Sequence, residues 1–113
     1  MEKKALKYGL KLYIDGKRIA TKPFILNTLG NVCHGFFTEL NEVTEDRVIL
    51  LEIFSKEPQG KQVIMKCGEF LVEIKPFVQD LIMKTLLGFI SSLNGLLESF
   101  PHSPVKIEYQ VKN

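Results

Sequence analysis

Polar and apolar residues alternate from Ala5 to Ile14, with Leu6, Tyr8, Leu10, Leu12 and Ile14 on one side and Lys7, Gly9, Lys11 and Tyr13 on the other. A period of two over that length predicts a half-buried strand. Asp15-Gly16 follows, a dipeptide suited to the two positive φ angles of a type I′ hairpin turn, so Lys17 to Thr21 is the returning strand. Pro23 suits the first turn of a helix, where its missing N–H leaves no hydrogen bond unmade. Ile25, Leu29, Val32, Phe36 and Leu40 then recur at helical spacing, widened by Leu26, Cys33 and Phe37. Asn27, Asn31, His34, Thr38 and Asn41 take the opposite side, which predicts an amphipathic helix of about eighteen residues. Asn41 to Asp46 is a polar connection. Val48 to Phe54 is short and apolar, a strand that is central in its sheet or covered on both faces.

The same order then recurs. Gln62 to Cys67, a turn near Gly68 and Glu69 to Ile74 read as a second hairpin, Pro76 to about Phe100 as a second helix, and Val105 to Val111 as an alternating terminal strand. Lys22-Pro23-Phe24-Ile25 through Gly35-Phe36 to Asn41 aligns without gaps on Lys75-Pro76-Phe77-Val78 through Gly88-Phe89 to Asn94, with about seven identities in roughly twenty positions. Aligning Gly68 with Gly16 requires one extra residue before Lys75. The pattern is β-β-α-β twice, in one domain spanning residues 1–113, with repeats at 1–56 and 61–113 joined through Glu57-Pro58-Gln59-Gly60. One unit of about fifty residues is marginal for a core of its own. The expected fold is therefore α+β: a tandem duplication forming one mostly antiparallel sheet, both helices on one face, related by a pseudo-two-fold.

The second helix is far more apolar than the first. A helix apolar nearly all round needs a further surface to bury against. Either it is the inner helix of the monomer or it makes a dimer interface; Met83, Leu87 and Ile90 are the interface candidates, and a homodimer or higher oligomer is the expected state. Gly35 and Gly88 repeat inside the two helices, although glycine there costs roughly 1 kcal/mol against alanine. Their expected role is close packing; the alternative is room for a ligand between the helices.

Composition narrows the function classes. The apolar and charged fractions, 45% and 25%, are those of an ordinary globular domain. The N-terminus lacks the apolar core of a signal peptide, and no stretch reads as a membrane span, so the cytoplasm is the expected compartment. Basic residues concentrate at the start. Lys7, Lys11, Lys17 and Arg18, with Tyr13 beside them, can form a nucleic-acid-binding face, or they can guard a sheet edge against aggregation. The small net charge of +2 favours protection.

Candidate chemistry is sparse. His34 has no partner at helical spacing that would make it a base or ligand, and His102 lies in a turn. Cys33 aligns with Leu86 on the buried stripe, whereas Cys67 falls at a hairpin tip with no cation cluster to activate it. Glu42, Glu45 and Asp46 form an acidic loop without a counterpart in the second half. No phosphate cradle or dinucleotide fingerprint is present. These residues specify no catalytic set, no metal and no cofactor.

Gly68-Glu69-Phe70 through Lys75-Pro76-Phe77-Val78-Gln79, and then Leu87-Gly88-Phe89-Ile90-Ser91-Ser92-Leu93, resemble a group of short uncharacterised prokaryotic β-β-α-β proteins. The resemblance covers about half the chain and implies a fold unit without catalytic residues. The expected function is a non-enzymatic binding or interaction module that self-associates through its apolar helix, with a protein or small molecule as any other partner. The alternatives are a nucleic-acid-binding sheet and a small enzyme with a site between subunits. Asn31, Thr38, Ser91 and Asn94 are the polar helix residues available to a ligand.

Overall fold

The computed structural model describes residues 6–44, 46–54, 63–93 and 104–111. Among them are strands β1 (Lys11–Ile14) and β2 (Lys17–Ile19), helix α1 (Pro23–Glu39) and strands β3 (Ile49–Ile53), β4 (Val63–Cys67) and β5 (Phe70–Val72). Helix α2 (Pro76–Ser91) and strand β6 (Val105–Tyr109) complete the α+β fold. All strand pairings are antiparallel, in the open order β2-β1-β6-β3-β4-β5. β3 is central, and its alternating burial leaves one face of it toward solvent rather than covering both.

The hairpins match their sequence signals. Asp15 and Gly16 both have positive φ (54° and 75°), as a type I′ turn requires. Its counterpart is Gly68-Glu69, with positive φ at Gly68 (62°), the pattern of a type II′ turn. Gly68 therefore occupies the place of Asp15, not of Gly16. The extra residue expected before Lys75 is absent, and the hairpins correspond at the same spacing as the helices. β1 is shorter than the alternation predicts: before Lys11 the chain makes only an isolated bridge, Tyr8 to Val111.

Every second strand residue points into one core. Leu12, Ile14, Ile49, Leu51, Ile53, Met65, Ile107 and Tyr109 are buried there with Leu29, Cys33 and Phe37 of α1 and Ile82, Leu86 and Ile90 of α2. Both helices thus cover the same sheet face. Phe37 meets Tyr109 edge to face at 4.9 Å, an arrangement that adds favourable quadrupole contact to the buried area. The opposite face is wet and mixed in charge, with Lys11 3.6 Å from Glu108 and the Lys106 ammonium 4.5 Å over the Tyr13 ring.

The buried stripes are rotated from the predicted ones. In α1 the centre is Leu29, Cys33 and Phe37, while Ile25, Val32, Phe36 and Leu40 are half-buried. Asn27, assigned to the polar side, is buried; its Oδ1 accepts the Lys7 backbone N–H at 2.8 Å and ties the N-terminal segment to α1. α2 ends at Ser91, where the Ser92 and Leu93 N–H groups turn back on the Phe89 and Ile90 carbonyls; the rest of the stretch expected to reach Phe100 lies outside the described residues. Asn94, Glu45, His102 and the Glu57–Gly60 link lie outside the described residues.

Candidate functional site

The two helices leave an apolar groove between them. It runs along the C-terminal half of α1 and the N-terminal half of α2, encloses about 500 Å³, and is lined by Val32, Gly35, Phe36, Leu40, Val78 and Leu81, with Glu39 and Thr85 also lining it. A cleft of about 390 Å³ extends the groove, sharing Glu39, Leu40 and Val78 with it, and reaches Phe77, the end of β5 at Val72 and the 73–75 segment that follows. Phe77, 73% exposed, and Leu81, 48% exposed, are the large apolar residues of α2 that stand out into solvent.

Those positions differ from the interface residues expected on α2. Ile90 is fully buried against the sheet, and Met83 and Leu87 are half-buried against the same core. The described helix is only 16 residues long, so its central turns are used by the core and the first turns carry the exposed apolar surface. Phe24 is the corresponding residue of α1 and is 66% exposed. Helical phase rather than hydrophobicity could have identified both phenylalanines: each lies four residues before a position outside the buried stripe, Thr28 or Leu81.

The glycines sort differently from the expectation. Apart from the chain neighbours and the helix's own backbone, no described atom lies within 4 Å of where a Cβ would stand on Gly35 or Gly88, so neither is held as glycine by close packing among the described residues. Gly35 instead lines the groove. Close approach occurs at Gly30, where a Cβ would fall 2.7 Å from Tyr8 Cε2 and 2.8 Å from Tyr8 Cγ. The Tyr8 hydroxyl then donates to Asn31 Oδ1 at 2.6 Å.

The remaining polar candidates hold backbone. Thr38 Oγ1 donates to the Gly35 carbonyl at 3.2 Å and Ser91 Oγ to the Gly88 carbonyl at 2.9 Å, which accounts for the hydroxyl three residues after each glycine. Gln79 is buried; its Oε1 accepts the Val63 N–H at 3.1 Å and its Nε2 donates to the Ile74 carbonyl at 2.8 Å. Cys67 flanks the hairpin turn as expected but is buried, and its thiol donates to the Thr44 carbonyl at 3.2 Å. Burial pushes the Cys33 thiol up to about 12, so it is protonated and serves as core. His34 is exposed on α1.

No family model, curated protein or solved structure matches the chain.

The basic residues do not share one surface. Lys11 and Arg18 face the side opposite the helices, and Glu108 stands beside Lys11. Lys17, opposite buried Ile14, emerges on the helix side, and the Lys7 backbone is drawn to α1. Among the described residues, no three His, Cys, Asp or Glu side chains converge as a metal site, and no helix is long and apolar enough to cross a membrane.

Proposed function

We propose that this chain is a non-enzymatic interaction module that self-associates through the exposed surface of α2 and the groove beside it. The observation that carries this reading is a projection and a recess on one surface: Phe77 and Leu81 stand out next to a groove in which Gly35 contributes no side chain. A two-fold contact uses the same patch on both copies, so each must supply both shapes. Exposed aromatics entering apolar pockets are the usual anchors of such contacts. Two buried thiols, Cys33 and Cys67, neither in a disulfide, suit action in the reducing cytoplasm.

The architecture supports a companion proposal, that the chain arose by tandem duplication and retains a pseudo-two-fold. Hairpins and helices recur 53 residues apart, and exchanging β1, β2 and β3 with β4, β5 and β6 leaves the strand order unchanged apart from direction.

Native mass spectrometry tests the module reading. At high dilution the expected result is a dimer without added mass, converted to monomer by F77S/L81S. A monomer carrying a discrete small molecule overturns self-association and makes the groove a ligand pocket.

A further inference from the structure

The sheet is open, and its two edges are formed by strands at equivalent places in their hairpins. β2 presents Lys17-Arg18-Ile19 and β5 presents Phe70-Leu71-Val72. Native edge strands are commonly guarded by charge, since a bare edge offers its N–H and C=O groups to any passing strand. β2 follows that rule. β5 does not: Phe70 is 50% exposed and Leu71 57%.

Hairpin geometry identifies which backbone groups are open. In a two-residue hairpin the residues flanking the turn exchange both hydrogen bonds, and the next pair exchanges none. Phe70 and Val72 therefore bond to β4, and Leu71 turns its N–H and C=O outward. By the same rule Lys17 and Ile19 bond to β1, and Arg18 faces outward.

We propose that β5 of one copy pairs antiparallel with β2 of a second copy, Leu71 opposite Arg18, continuing the sheet from one molecule to the next. This contact goes beyond the helix contact and does not depend on it. Charge selects the occupant. Joining β5 to another β5 about Leu71 would set Glu69 against Glu73 at both ends, and joining β2 to β2 would set Arg18 against Arg18; like charges opposite each other destabilise a pair. In the mixed pairing the guanidinium lies diagonally between Glu69 and Glu73. None of those three groups has an ion pair among the described residues. On the helix side Phe70 meets Ile19, an aromatic against a β-branched side chain, which is a favourable cross-strand pair. The contact is head-to-tail, so it builds a ring or an open row rather than stopping at two copies.

Charge reversal tests it, read as weight-average mass against concentration by sedimentation velocity. All variants are made in the F77S/L81S background, so that the helix contact cannot supply the signal. The unreversed chain is expected to grow beyond two copies with concentration, and to lose that growth as salt is raised. R18E alone and E69K/E73K alone are each expected to remain monomeric. Mixing those two proteins, or combining all three changes in one chain, is expected to restore growth. L71P, whose lost N–H is one that makes no bond to β4, is expected to stop growth with the circular dichroism of the fold retained. An unreversed chain that stays monomeric at millimolar concentration overturns the proposal, as does R18E assembling like its parent or a mixture no larger than its components.

Discussion

The region up to Phe54 and the region from Val63 onward each contribute a hairpin, a helix and a strand to one fold, yet they differ at the two edges of the sheet. At the core they agree: Leu29, Cys33 and Phe37 in one correspond to Ile82, Leu86 and Ile90 in the other, and all six are fully buried. At the edges they diverge, with Lys-Arg in β2 where β5 has Phe-Leu. Gly30 admits the Tyr8 ring, whereas the corresponding place in α2 is Met83, half-buried. Burial therefore goes with apolar residues at the corresponding core positions, while the two edge strands differ in charge and polarity. The second region exposes Phe70, Leu71, Phe77 and Leu81, and the first Leu6, Phe24 and Val48.

Substitutions at corresponding places test that contrast. The largest effect is expected at the shared core: L86A removes a fully buried side chain and should cost about 2–5 kcal/mol, whereas C33A at the matching position should cost about 1 kcal/mol, both read from urea unfolding. Equal losses at the two sites would mean that the two helices do not share the core as described. The glycines should differ in sign. G30A drives a methyl into the Tyr8 ring and is expected to destabilise by about 1–3 kcal/mol, with Y8A relieving part of the cost. G35A and G88A meet no described atom and should stabilise by about 0.5–1 kcal/mol through helix propensity.

Alkaline pH distinguishes the thiol in α1 from its apolar counterpart. The folded Cys33 thiol holds its proton up to about 12, while in the unfolded chain it ionises at its ordinary 9.0. Its contribution is complete below pH 9, and it should be lost as pH rises from 9 toward 12 at up to about 1.4 kcal/mol per unit. The difference in unfolding free energy between the parent and C33A, measured at pH 8 and pH 10, should narrow accordingly; a constant difference would show that the thiol ionises alike in both states. The smallest effect on stability is expected at the edge: L71K should change it by no more than about 0.5 kcal/mol while removing concentration-dependent growth.

Local patterns carried most of the elements. Alternation located β6, the Asp15-Gly16 dipeptide located its hairpin, and the prolines at 23 and 76 marked both helix starts. The second turn was less legible because its type II′ geometry needs glycine at the first central position, which shifted the apparent alignment by a residue. The site was harder to see. Phe24 and Phe77 each follow the proline that starts a helix, and it is the direction each helix presents to the sheet that leaves them exposed. Asn27 looked polar and exposed because its partner, the Lys7 N–H, is brought to it by a distant segment.

The sequence by itself determined the element order, the hairpin turns, the internal repeat and the absence of a recognisable catalytic motif, since periodicity, turn stereochemistry and residue identity are properties of short stretches. Tertiary structure alone decided that β6 lies between β1 and β3, that Gly30 rather than Gly35 is the point of close approach, and that Ile90 is core while Phe77 is surface. Those outcomes depend on which faces meet across long separations, and a helix rotated by a fraction of a turn exchanges its buried and exposed apolar residues without changing its sequence.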